Sequence, residues 1–163
     1  MFADGYFSLS FAEVLGLLVT IVSVYFVVHQ LREAKIASQM EGIMQLGDRF
    51  SNIVPQIQIM NNLTSSTEWE LMQKNNSHDL LFDGGDNQEA LQSVGVFYEQ
   101  LGMLVRTQTL DKNIAYQLFG DLAQKRWKSV EKAMEWQRRQ LGVDGLADQW
   151  EWLAKEFDTM AKR

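Results

Sequence analysis

Two histidines, one carboxylate on an apolar helix and one basic cluster are the side chains of this 163-residue chain that could do chemistry. His78-Asp79 has the residue types of a hydrolase metal dyad. Such a site needs further histidines, and the only other one is His29. His78 is therefore expected to be an exposed loop residue. His29 closes a long apolar run, where its imidazole could ligate a haem or chlorophyll of a partner; its ordinary role is that of an interfacial polar group. Glu99 sits among apolar neighbours on a helix that also carries Tyr98 and Arg106. Its readings are a partly buried ion pair with a basic residue of the next helix, for example Lys125 or Arg126, or a place on an exposed face. There is no cysteine, so neither thiolate chemistry nor a disulfide is available. No Ser–His–Asp order, P-loop, G-x-G-x-x-G or H-E-x-x-H occurs. These residues point to a protein that is not an enzyme, with no cofactor and no metal site.

The basic cluster is Lys125-Arg126-Trp127-Lys128, continued by Lys132, Arg138 and Arg139. Residues 121–139 hold six basic and three acidic side chains. On a helix, Lys125, Arg126 and Lys128 could face anionic lipid headgroups, at about 1 kcal/mol per charge close to the surface. An ordinary solvated face, with Glu131 and Glu135 pairing locally, is the competing reading. Five tryptophans are many for this length. Trp136 and Trp152 fall off the apolar stripes of their helices, either as anchors for a protein contact or as surplus aromatics that cover the bundle.

The elements that must carry these residues begin with a long apolar run. Only Asp4 and Glu13 are charged before Arg32; the remainder carries 15 basic and 19 acidic side chains, a balance of −4. That balance argues against nucleic-acid binding. Val14 to Leu31 is an 18-residue stretch without formal charge if His29 is neutral. A bilayer core of roughly 30 Å needs about 20 helical residues. Ser10-Phe-Ala-Glu13 fits a capping box that starts the helix early enough and puts Glu13 in its first turn. A soluble buried helix needs no such unbroken run. A cleaved signal peptide would want a basic start and small residues after the run, and neither is present. The run predicts an uncleaved anchor. Arg32 and Lys35 follow it and no basic residue precedes it, so the C-terminal part is expected in the cytoplasm. Ala12, Gly16 and Thr20 recur every four residues, with Ser23 close to the stripe. This small-residue face suits close packing against another transmembrane helix.

Beyond Leu31 the helical spacing continues through Ile36, Met40, Ile43, Phe50 and Val54, and Pro55 is expected to end or kink it. Thr67-Glu-Trp-Glu70 and Asp86-Asn-Gln-Glu89 have capping-box patterns that open further helices. The second of these carries Ala90, Leu91, Val94, Phe97, Tyr98, Leu101, Leu104 and Val105 on one face. Asp111 caps a helix bearing Ala115, Leu118, Phe119, Leu122, Trp127, Val130 and Met134. Gly142 to Gly145 breaks the chain, and a last helix aligns Leu146, Trp150, Leu153, Phe157 and Met160. No segment alternates with period two. The predicted class is all-α: a single N-terminal transmembrane helix extended into a cytoplasmic bundle of about four or five helices.

The stretch VGVFYEQLGMLVRTQTLDKNIAYQLFGDLAQKRWKSVEKAMEWQRR, Val94 to Arg139, resembles a bacterial family of unknown function. The likeness rests on Phe97-Tyr98-Glu99, the Leu104-Val105-Arg106 end, the turn before Leu110-Asp111, the long helix with Trp127, and the closing Arg138-Arg139. The run ending in Gln30-Leu31-Arg32 also fits. The resemblance implies one N-terminal span and a short helical cytoplasmic domain, and it implies no activity. Thr107-Gln108-Thr109 departs from the pattern, where a glycine-containing turn is expected.

The expected organisation is a short extracytoplasmic tail (1–9), a transmembrane helix (10–31), a juxtamembrane helical segment (32–62) and a cytoplasmic helical domain (63–163). The expected function is that of a non-enzymatic accessory or scaffold subunit of a larger complex in the bacterial inner membrane. Its partners would be other transmembrane helices or subunits of that complex, a second copy of the chain, and membrane lipid, with no nucleic acid. The alternative is a membrane-anchored sensor or signalling module whose bundle binds a small ligand or a soluble protein, with Tyr98, Glu99 and Arg106 as the polar groups of its pocket.

Overall fold

A computed structural model describes residues 11–75, 77, 78, 81, 82 and 84–162, with side chains from residue 19 onward. Six helices account for nearly all of these: α1 (Phe11–Asn52), α2 (Val54–Thr64), α3 (Thr67–Asn75), α4 (Asp86–Arg106), α5 (Lys112–Leu141) and α6 (Asp148–Ala161). The protein is all-α among the described residues, and it divides into two compact units, Met1–Glu41 and Gly42–Arg163. The division falls inside the segment 32–62 that was expected to link span and bundle.

In the first unit every side chain from Val19 to Ser38 is exposed. Ser23 donates its hydroxyl to the Val19 carbonyl (2.8 Å), and His29 meets Glu33 one turn on at 3.6 Å. Among the described residues no helix is long and apolar enough to cross a membrane. The apolar stretch with described side chains, Val19 to Leu31, gives about 20 Å of helix against a bilayer core of roughly 30 Å. Ser10 and the side chains of 11–18, which include Glu13 and the seam positions Ala12 and Gly16, lie outside the described residues.

In the second unit α1 ends where Pro55 removes the N–H that would continue its ladder. Ile53 sits at the break (φ −97°, ψ 4°), and Pro55 falls in the first turn of α2. Neither expected capping box forms; in both helices the N-cap lies one residue earlier than expected. Ser66, not Thr67, receives the Trp69 N–H at 3.1 Å, because only Ser65 and Ser66 separate α2 from α3. Gly85, not Asp86, takes the extended N-cap position of α4, while the Gln88 side chain reaches back to the Gly84 N–H (2.6 Å). Asp86 then lies in the first turn, where the helix dipole favours its charge. Asp111 caps α5 as expected, accepting from the N–H groups of Asn113 (2.8 Å) and Ile114 (3.2 Å). The α4–α5 turn has no glycine, and Gln108 adopts the left-handed φ of 59° that glycine would supply. Its N–H bonds the Val105 carbonyl, and the Leu110 N–H reaches Leu104, closing the helix end.

α4 packs against both α2 and α6, and α6 also packs along α5. The end of α1 joins this core through Leu46 and Phe50, whose ring lies 5.5 Å from Phe97 and 5.6 Å from Phe119. The stripe expected on α4 is buried, with Leu104 partly so. On α5 the expectation is corrected at Leu118 and Leu122, which are exposed. The fully buried positions there include Ala115, Ala123 and Ala133, since small residues let neighbouring helices approach closely.

Candidate functional site

The joint between α4 and α6 holds the polar groups that sequence reasoning singled out. Ala147, the residue before α6, has a left-handed backbone (φ 61°) and no side chain able to cap the helix. Glu99 of α4 supplies the cap: its Oε1 accepts the backbone N–H of Trp150 at 2.8 Å. Glu99 thus takes neither role read from the sequence, an ion pair with Lys125 or Arg126 or an exposed face. Three residues further along α4, Gly102 faces the Gln149 carbonyl so closely that a Cβ would collide with it. Trp150, fully buried, stacks on Tyr98 (4.8 Å between centroids, 15° between planes) and meets Trp127 edge-on.

Arg126 donates to the Tyr98 hydroxyl at 2.9 Å. Burial pushes the Tyr98 phenol above the ordinary tyrosine range, and the Arg126 charge and hydrogen bond pull it back only in part. Arg138 holds the turn between α5 and α6, donating to the Leu146 carbonyl (2.7 Å) and to Glu151 (2.7 Å). Hydrogen bonds from Lys155 first, then Arg138, hold the Glu151 carboxyl below the ordinary glutamate range, against the opposing effect of burial.

A cleft of 280 Å³ opens beside this joint. Its walls are apolar, from Phe82, Leu91, Val96, Met134, Leu146 and Trp150. Gln88, Gln92 and Gln137 contribute amides, and among the described residues Glu99 is the only charged one that lines it. Glu99 is half-buried, and among the described residues its second carboxylate oxygen has no protein partner.

His78 is fully buried, not exposed as expected. Its ring sits 6.1 Å from both Trp69 and Trp136, and Phe82 stacks on Trp136 at 5.6 Å. The two tryptophans enclose the imidazole, which the polar loop sequence around it did not suggest; Asp79 lies outside the described residues. Trp136 is half-buried through these contacts. Trp152 is half-buried too, with the Arg106 guanidinium 5.6 Å from its ring centroid. Lys125 and Lys128 are exposed on α5, and Lys128 lines a smaller depression of 130 Å³ with Glu131, Lys155 and Asp158, a mixed-charge surface. Arg126 and Arg138 are committed internally, so the basic cluster divides among different roles. Thr20 and Ser23 are exposed on α1. Among the described residues no group of three His, Cys, Asp or Glu side chains could hold a metal ion.

A family model described as a domain of unknown function, DUF4760, matches residues 10–157. No curated protein and no solved structure matches the chain.

Proposed function

We propose that this chain, which belongs to the DUF4760 family, is a membrane-anchored accessory subunit of a larger bacterial inner-membrane complex rather than an enzyme. One observation carries the reading: from Val19 to Leu31, α1 exposes nine large apolar side chains distributed around the whole helix. An amphipathic helix of a water-soluble bundle would bury one face and leave the other polar. Here no face is covered, and no Asp, Glu, Lys or Arg marks one of them as a water-facing side. At about 25 cal/mol per Å² of apolar surface, such a segment gains from lipid or from partner helices on every side. In the sequence the uncharged run extends back to Val14, which lengthens the apolar segment toward the size of a span.

In this reading the N-terminus lies outside, the span covers 10–31, and the Ala12/Gly16/Thr20/Ser23 stripe meets a partner helix. The unit Gly42–Arg163 lies on the cytoplasmic side, where the exposed Lys125 and Lys128 and the uncovered parts of Trp136 and Trp152 serve partner or headgroup contacts. Site-specific photo-crosslinkers at Thr20 and Lys125 in native membranes test it. Discrete adducts to one membrane protein, recovered also by gentle detergent purification, are expected. A chain that forms no adducts and purifies only as a free monomer would sink the proposal.

The sensor reading has one observation in its favour, the cleft beside Glu99.

A further inference from the structure

We propose that the cleft between α4, α5 and α6 binds a small apolar molecule carrying a protonated primary amine. The inference rests on the cleft alone and does not depend on membrane anchoring.

Shape and polarity set the size class. At 280 Å³ the cleft is near the lower end of small-molecule sites and its walls are predominantly apolar, so the body of the ligand is compact and hydrophobic. Charge sets the functional group. Among the described residues Glu99 is the only charged one in the lining; it is half-buried against Trp150, with one oxygen on the Trp150 N–H and the other without a partner. A carboxylate in a partly desolvated apolar wall favours a cation and repels an anion. The hydrogen-bond inventory narrows the cation further. An ammonium group carries three N–H donors. Gln92 and Gln137 line the same cleft and neither side-chain amide makes a hydrogen bond among the described residues, so two carbonyl acceptors join Glu99. The amide of Gln88 is already engaged with Gly84.

Gly95 adds a separate argument. It lies on α4 at the cleft, and the nearest atom to a Cβ there is in the Trp150 ring at 4.0 Å. A larger residue would extend into the space without displacing backbone. The absence of a side chain at this helical position costs helix stability and keeps the cleft open.

Isothermal titration calorimetry on the full chain in lipid nanodiscs tests the proposal with three probes of one shape: 2-phenylethylamine, neutral 2-phenylethanol and anionic 3-phenylpropionate. The amine is expected to bind saturably and about tenfold more tightly than the alcohol, the gain of a charge-assisted hydrogen bond, with no binding of the carboxylate. Glu99→Gln keeps an oxygen for the Trp150 N–H and removes the charge, so it should bring the amine to the affinity of the alcohol. Gly95→Leu should abolish binding of both while leaving the circular dichroism spectrum unchanged. No saturable binding of the amine, carboxylate binding as tight as the amine, or amine binding untouched by either variant would each overturn it.

Discussion

Glu99 of α4 accepts the backbone N–H of Trp150 at 2.8 Å, 51 positions away in sequence, and so caps a helix whose own N-cap residue, Ala147, cannot. The contact ties the start of α6 to the middle of α4 and sets where Trp150 enters the core. Glu99→Ala should lower stability by about 1–2 kcal/mol, the range for losing a helix cap. Glu99→Gln should lose less, since the amide oxygen still accepts. Urea unfolding followed by tryptophan fluorescence checks this, with a lower midpoint at unchanged slope as the expected signature.

Two glycines of α4, seven residues apart, should respond in opposite directions. Gly102→Ala drives a methyl group into the Gln149 carbonyl, and overpacking of this kind costs about 1–3 kcal/mol. Gly95→Ala meets nothing closer than 4.0 Å and should stabilise the helix by about 0.5–1 kcal/mol. Thermal melts of the two variants beside the parent chain decide the matter, and a shared direction would contradict the close α4–α6 approach.

Acid sensitivity should centre on Glu151. Its carboxyl is held below the ordinary glutamate range by Lys155 and Arg138, so the folded chain binds its proton less readily than the unfolded chain does. Stability from this group is present above pH 4.5, its ordinary value, and is lost as pH falls through the depressed folded value. Glu151→Gln should flatten the acid limb of a stability–pH curve and lower stability near neutrality. An unchanged acid limb would remove Glu151 from the explanation.

His78 should be structurally costly to remove. It is fully buried between Trp69 and Trp136, and His78→Ala would leave a cavity there, at a cost of about 2–4 kcal/mol by analogy with other large-to-small core changes. Chemical denaturation reads the loss, and a stability equal to that of the parent would mean that the aromatic enclosure collapses freely.

Much of the helical order was legible because it is local. Apolar spacing marked the buried face of α4, Pro55 marked the α1–α2 break, and Asp111 and Gly142 marked both ends of α5. What escaped was set by contacts distant in sequence. The role of Glu99 depends on Ala147 having no capping side chain, which no pattern around Glu99 reveals. His78 lies in a polar stretch, and its burial comes from Trp69 and Trp136 on two other elements. Leu118 and Leu122 have helical spacing but lose the core to alanines, because close helix approach selects size over hydrophobicity. Gln108 in a left-handed conformation shows the reverse case, a glycine role filled by a residue that carries no sign of it.

The membrane role turns on the uncovered apolar surface of Val19 to Leu31, and alkaline carbonate extraction of native membranes tests it most directly. The full chain should remain in the membrane pellet after both a high-salt wash and carbonate treatment, and should be released only by detergent. Release into the carbonate supernatant would contradict an anchor through α1.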